Sequence, residues 1–583
     1  MSQRVRFSAS LLVLALEAAA PELFPAEVPA DLLLRGGKII TVNSSFAVAS
    51  SMAIREDRIV AVGSDADTAP FKGPRTVVLD LGGKCVLPGL IDSHCHPSAA
   101  AVTEMDHPRP PMESIGDVLR YFESRTKVLP RGEWIFLGQR FLTRLREHRY
   151  PTLEELDRAA PDHPVIFRTG PDCAVNAAAL KAAGIGPDFA PPADSRAVAE
   201  RDPSTGKLTG VFRNMNEVFT RRLRPESISR EARLEAFKKM LAAYNGCGIT
   251  SASDREVEGS DIETYEELLS KGALTVRICL SHSLDVSGDM SEIEARLRKI
   301  ASLPVTLRRD PMLRLVAVKT YLDGGMLTGS AFMSQPWGVS EIYRISDPTY
   351  RGIQFIPDEK LAQIVEKAYD HGFQFVAHCQ GDASVDALLR AYEALDREES
   401  IRDRRMCIGH GSFQRLDLVR RAAAIGVVAD SQPAWLYLDA SVLLRQFGKE
   451  RLRYFIPLKT WFSEGGVVAG GSDHMIGQDP EASINLYSPF WGMWIAITRR
   501  ARWVDEPVIP EEAISREQAI RLYTANAAFV ELAEKEKGSL EVTKLADFIV
   551  IDRDILTCPV DEIRQIQVER TYLGGKLVYS KGR

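Results

Sequence analysis

Six side chains able to bind a metal or carry a proton stand where apolar runs of this chain end. His94 and His96 follow the run 86–91, in Asp92-Ser93-His94-Cys95-His96. Along a strand, residues i and i+2 point to one side. His94 and His96 then converge on one point and Cys95 faces away. Two imidazoles at the end of a buried strand make a site for zinc or a similar ion; the plain alternative is a hydrogen-bonded histidine pair. Four more runs end the same way: Lys319 after Val316-Ala317-Val318, His378 after Val376-Ala377, His410 after Ile408-Gly409, and Asp473 after Gly471-Ser472. The chain has 10 histidines in all, and four of them fall at these ends. Taken singly, Lys319 reads as a rim salt bridge, His378 and His410 as structural histidines, and Asp473 as a helix cap. Taken together they read as a metal cluster. A charged lysine is costly to bury. An uncharged one can add CO2, and the resulting carbamate offers two oxygens to bridge two cations.

Elements that would bring these residues together can be read from the pattern. Parallel strands alternating with helices are expected from residue 86 onward. Eight runs qualify: 86–91, 248–253, 274–280, 313–321, 373–379, 406–411, 426–429 and 467–472. Helices are expected at 230–245, 358–372, 383–395 and 416–424. This predicts an α/β fold, a (β/α)8 TIM-type barrel whose chemistry lies at the C-terminal ends of its strands. The stretch from about 100 to 230 is too long for one crossover and reads as an insertion over the barrel mouth. Residues 31–85 show short strands expected to pair antiparallel, and 539–583 have the same character. The two ends are expected to form one composite β-sandwich, leaving 86–538 for the barrel and 1–30 as an N-terminal extension.

Composition narrows the class. With 583 residues, 45% hydrophobic and 26% charged, the chain reads as a large soluble globular protein. A net charge of −6 without a basic stripe argues against a nucleic-acid partner. The eight cysteines form no C-x-x-C pair, which fits reduced thiols. No run reaches the ~20 apolar residues of a membrane span. Residues 7–16 and Ala18-Ala19-Ala20 resemble a short signal peptide, but Glu17 interrupts them. A cytoplasmic protein is expected, with secretion the alternative. A homodimer is the default assembly.

The ordered set His94-Cys95-His96, Lys319, His378, His410 and Asp473 resembles the amidohydrolase superfamily. The segments 318–325 (VKTYLDGG), 378–386 (HCQGDASVD), 471–474 (GSDH), 523–528 (YTANAA) and 537–551 (KGSLEVTKLADFIVI) point to its family 3 branch. That branch holds the YtcJ-like and N-substituted formamide deformylase-like proteins. The inserted pieces 161–168 and 175–180 fit as well. The resemblance implies that His94, His96 and Asp473 bind the more buried of one or two divalent ions, zinc first among candidates. It implies that N6-carboxylated Lys319 bridges to a second ion held by His378 and His410. One departure stands out: where the branch often carries Asp-Gly-His, this chain reads Gly170-Pro171-Asp172-Cys173-Ala174.

The expected reaction is hydrolysis of a non-peptide C–N bond in a small molecule: an N-acyl, N-formyl or cyclic amide. A metal brings the pKa of its bound water toward ~7, and Asp473 is placed to act first as base and then as acid. The same site could cleave an ester, lactone or carbamate, and a non-catalytic sensor on the same fold is the reading from another class. Candidate substrate contacts are Asp323, Trp337, Trp435, His474 and Trp491. Trp494 and the pair Arg499-Arg500 are further candidates, whereas Cys95 and Cys379 are expected to pack.

Overall fold

The computed structural model describes residues 28–191, 197–223 and 228–582. The stretch read as a signal-like segment lies outside them. Eight parallel strands form one sheet in sequence order: Leu90–Cys95, Ile249–Val257, Arg277–Ser283, Leu313–Tyr321, Gln374–Cys379, Cys407–His410, Val428–Ser431 and Val467–Gly470. The eighth comes round to the first, where the N–H groups of Ser472 and Asp473 donate to the carbonyl of His94 at 3.1 and 2.7 Å. Asp92 reinforces this seam by accepting from the Ser472 N–H and hydroxyl at 3.0 and 2.6 Å. The result is a TIM-type barrel with additional domains.

The run 86–91, read as the first barrel strand, is divided between two sheets. Cys85–Pro88 pairs antiparallel with Phe548–Ile551, and the barrel strand begins at Leu90. Pro88 lacks an N–H for further pairing. At Gly89 a Cβ would stand 2.0 Å from the Thr250 hydroxyl, so only glycine lets the chain cross there.

Side-chain alternation does the positioning. Ala317, Val376 and Val428 point into the barrel, where they pack with Ile91, Cys407 and Ala469 above the helix Ala525–Val530. Two residues later on the same strands, and so on the same face, stand Lys319, His378 and Asp430. The outer helices follow an apolar stripe. In Asp358–Asp370 the buried residues are Leu361, Ile364, Val365 and Ala368, spaced for one helical face.

Both ends of the chain meet in a pair of sheets. One has four strands in the order Arg58–Gly63, Ser51–Arg55, Leu32–Arg35, Val77–Asp80. The other has six and joins the C-terminal strands Phe548–Ile551, Val568–Leu573 and Lys576–Ser580 to Cys85–Pro88, Lys38–Ile40 and Val48–Ala49. Leu34, Met52 and Ile54 of the first sheet share a core with Val86, Phe548 and Val550 of the second. The pairing is not wholly antiparallel: Leu32–Arg35 runs parallel to Val77–Asp80, and Lys38–Ile40 parallel to Cys85–Pro88.

The long segment after the first barrel strand has its own five-stranded sheet, ordered Val198–Arg201, Leu208–Arg213, Asp172–Val175, Val165–Thr169, Ile135–Leu137. The helices Ile115–Thr126, Leu153–Ala159 and Ala177–Ala183 pack with it. No helix among the described residues is long and apolar enough to cross a membrane.

Candidate metal centre

The strand ends bring His94, His96, Lys319, His378, His410 and Asp473 to one place. Ligand atoms of His94, His96 and Asp473 lie within 4.8 Å of one another, as do those of His94, His410 and Asp430. The His94 ring sits 4.4 Å from that of His410, which is 4.5 Å from that of His378. His96 Nε2 is 3.1 Å from Asp473 Oδ1, and His94 Nε2 is 3.6 Å from the same oxygen. Lys319 Nζ reaches within 3.2 Å of His94 Nε2. His410 and Asp473 achieve this with left-handed backbones, at φ of +74° and +54°. Such conformations cost ~1–3 kcal/mol in a non-glycine residue and persist where the surroundings hold them.

Partners behind the rings settle which nitrogen is free. Asp430 accepts from His94 Nδ1 at 2.7 Å, so that nitrogen carries the proton and the Nε2 lone pair faces the centre. The Gln432 side-chain oxygen faces His410 Nδ1 at 2.9 Å and does the same there. Asp430 also accepts the His410 backbone N–H at 3.1 Å and faces Arg255 Nη2 at 3.1 Å. Arg255 is buried, and donates further to Ser93 O and Ser281 Oγ at 3.0 and 3.2 Å. His378 differs: its Nε2 is buried and has no hydrogen-bond partner among the described residues. An orphaned imidazole nitrogen beside a lysine and two further histidines is the donor set a cation would complete.

Burial favours uncharged forms here. It holds His94 and His410 well below the usual imidazole range and brings His378 down to about 3, with the neighbouring Lys319 acting the same way on His94 and His378. It also lowers Lys319. Neutral imidazoles are the form that ligates a metal, and an uncharged amine is the form that adds CO2.

The remaining candidates are placed less uniformly. Asp323 is fully buried and accepts from the N–H groups of Gln380, Gly381 and Phe332, each at 2.9 Å, and from Ser384 Oγ at 2.8 Å. It ties the loops after the fourth and fifth strands together, stands 3.9 Å from His378 Nε2 through Oδ1, and borders the cavity beside that ring. His474 donates from Nε2 to Gly477 O at 2.7 Å and accepts from the Tyr244 hydroxyl at 2.9 Å, so both its nitrogens are used. Trp337 is buried against Tyr343 and Phe447, with its N–H on Ala331 O at 2.8 Å. Trp491 packs with Tyr437 and Trp494 under Arg564, and Trp494 donates to Asp561 at 3.1 Å. Arg499 is buried and spends its donors on the carbonyls of Val508, Ile456 and Phe455 at 2.9–3.0 Å. Arg500 lies 3.7 Å from Asp561. Trp435 touches the cluster with its ring 4.9 Å from that of His410, and the His474 carbonyl accepts the His96 backbone N–H at 2.7 Å. Cys95 turns away toward Ser253 O, and Cys379 lies in the barrel core.

Beside His378 opens a cavity of about 740 Å³. Tyr321 at the end of the fourth strand and Tyr343 and Phe355 beyond it bound one side, and Asp172, Glu200 and Arg213 of the insertion bound the other. Arg213 pairs with Asp172 at 2.9 Å and Glu200 at 2.7 Å. The ion pair therefore occupies the stretch where the related branch often has a histidine. Asp430, Gln432 and Arg255 were not anticipated from the sequence. Asp430 directly follows the expected seventh strand, so extending the strand-end rule by one position finds it.

The chain has relatives among known proteins over most of its length. A model of the amidohydrolase family matches residues 77–579. The N-substituted formamide deformylase of Arthrobacter pascens is 29% identical over 567 residues, which cover 94% of this chain and 98% of that protein. YtcJ of Bacillus subtilis is 25% identical over 94% of this chain and 99% of its own length. The crystal structure of an uncharacterized metal-dependent hydrolase from Pyrococcus furiosus superposes with a TM-score of 0.64 at 23% identity, covering 90% of this chain and 100% of that one, a likeness of fold. By its sequence over most of its length, this chain belongs to the amidohydrolase family.

Proposed function

We propose that this protein is a metal-dependent hydrolase of a small-molecule amide: an N-acyl, N-formyl or cyclic amide whose C–N bond is not a peptide bond. The observation that carries the reading is the buried cluster of neutral imidazoles, with the orphaned Nε2 of His378, beside a cavity large enough for such a substrate. The printed name of the Arthrobacter relative, a formamide deformylase, supports the choice of an amide.

His94, His96 and Asp473 would hold one divalent ion, zinc first among candidates. His378 and His410 would hold a second, with Lys319 carboxylated between them. Such ions supply an acidified water and a polarised carbonyl at neutral pH. Asp473 takes the proton of the attacking water as the C–O bond forms, and returns it to the nitrogen as the C–N bond breaks. The products are a carboxylate and an amine. His94 is kept from rotating by Asp430, and His410 by Gln432, so both present Nε2 throughout. Trp435 flanks the cluster with its ring against His410, and the Tyr321 ring lies 4.9 Å from that of His378, tilted by 37°.

The test is metal content by elemental analysis on wild type and Lys319→Ala, both prepared with bicarbonate and divalent metal, followed by paired amide and ester analogues. About two ions in wild type, one or none in the variant, and turnover of amides over esters is the expected result. Ester turnover alone would move the substrate class. Metal-free protein after supplementation would overturn the reading.

A further inference from the structure

We propose that Asn485 is a positioning residue for Asp473 and that the insertion controls it through Arg144. The proposal rests on the reading of Asp473 as the proton carrier. Asn485 is buried in the loop after the eighth strand. Its side-chain oxygen accepts from Arg144 Nη1 at 2.8 Å and from Trp435 Nε1 at 3.3 Å. Both partners can only donate, so the orientation of the amide is forced. Its Nδ2 therefore faces Asp473, where it donates to the backbone carbonyl and stands 3.4 Å from Oδ2. The other oxygen, Oδ1, faces His94 and His96. Asn485 thus clamps both the left-handed backbone of Asp473 and the rotation of its carboxylate.

Arg144 anchors the clamp. It sits on the turn Leu142–Arg144 of the insertion, and its fork meets Asp439 on the helix Pro433–Arg451 at 3.0 and 2.9 Å. Thr143 Oγ1 adds a bond to Asp439 at 3.0 Å, and Arg144 also donates to the carbonyl of Ile484. Arg144 and Asp439 are both buried. One guanidinium therefore links three segments: the insertion, the helix after the seventh strand, and the loop that carries Asn485. Seating of the insertion and orientation of the reacting carboxylate become one event.

The experiment loads wild type, Asn485→Ala, Arg144→Ala, Arg144→Lys and Asp473→Asn with zinc. It measures zinc release to a chromogenic chelator, then kcat and KM on the amide that the substrate panel identifies. The expected result for Asn485→Ala and Arg144→Ala is zinc release faster, and kcat lower, by about 10–100-fold, with KM unchanged. Millimolar guanidinium should restore kcat in Arg144→Ala and do nothing for Asn485→Ala. If Arg144→Ala does not fold, Arg144→Lys decides the matter, since it keeps the charge and loses the fork. Wild-type zinc release and kcat in Asn485→Ala, with Asp473→Asn inactive, would overturn the positioning role and leave the proposed function standing. Full activity in Asp473→Asn would overturn both.

Discussion

The two sides of the barrel mouth are built differently. On the side of the first and last strands, His94 leans on Asp430, His96 meets Asp473, and Asp473 is held by the seam and by Asn485. Each group there has a protein partner. On the side of the fifth strand, His378 keeps an Nε2 with no hydrogen-bond partner among the described residues, 3.9 Å from Asp323 Oδ1, and the residue borders a cavity shared with Tyr321 and Phe355, which are 39% and 52% exposed. One side is already a satisfied hydrogen-bond network; the other is completed from outside. The lesson is that the two proposed metal positions differ in how far the protein alone pre-forms them, so substitutions on the two sides should fail in different ways.

The strongest way to break the comparison is Asp430→Asn. The amide oxygen still accepts from His94, but the charge opposite buried Arg255 is gone. Leaving one partner of a buried pair uncompensated costs about 3–5 kcal/mol. Urea unfolding should show a loss of that size, and a wild-type midpoint would mean that Arg255 finds another partner. On the other side, His378→Ala removes a ring whose Nε2 makes no hydrogen bond among the described residues. It should cost about 1 kcal/mol or less while lowering the metal content by about one ion. A large stability loss without metal loss would erase the distinction drawn here.

A smaller effect tests a half-buried group remote from the cluster. His148 is drawn down from 6.5 to about 4, first by burial and then by Arg445, whose Nη2 stands 2.8 Å from Nδ1. Between about pH 4 and 6.5 the unfolded chain takes up a proton here and the folded chain does not. His148 therefore contributes stability above pH ~6.5 that is lost on acidification. His148→Gln should flatten the fall of the unfolding midpoint between pH 7 and 5. An unchanged slope would remove His148 from the acid response.

Much of this site was legible because strand chemistry is local. An apolar run ending in a ligand can be read from a few residues, and alternation says which side they face. That logic found His94, His96, Lys319, His378, His410 and Asp473, and it stopped one residue short of Asp430. It misread the start of the first barrel strand because an apolar run carries no mark of which sheet each half joins. It could not find Arg144 or Asn485. These two lie 341 positions apart and meet only because two loops fold over the same helix. Buried tryptophans were ambiguous for a related reason. Trp337 and Trp435 look alike in sequence, yet one packs in a core and the other against His410.

The crossing at Pro88-Gly89 has a consequence for how the molecule is made. Cys85–Pro88 finds its antiparallel partner, Phe548–Ile551, only after about 460 further residues have been synthesised, which takes roughly 20–90 s at typical translation rates. Until then one edge of an otherwise buried apolar strand is open, directly beside the segment that bears His94 and His96. The terminal sheet must wait for the tail of the chain to close the strand that leads into the barrel, and a chaperone that shields this stretch during elongation would act next to the seed of the metal centre.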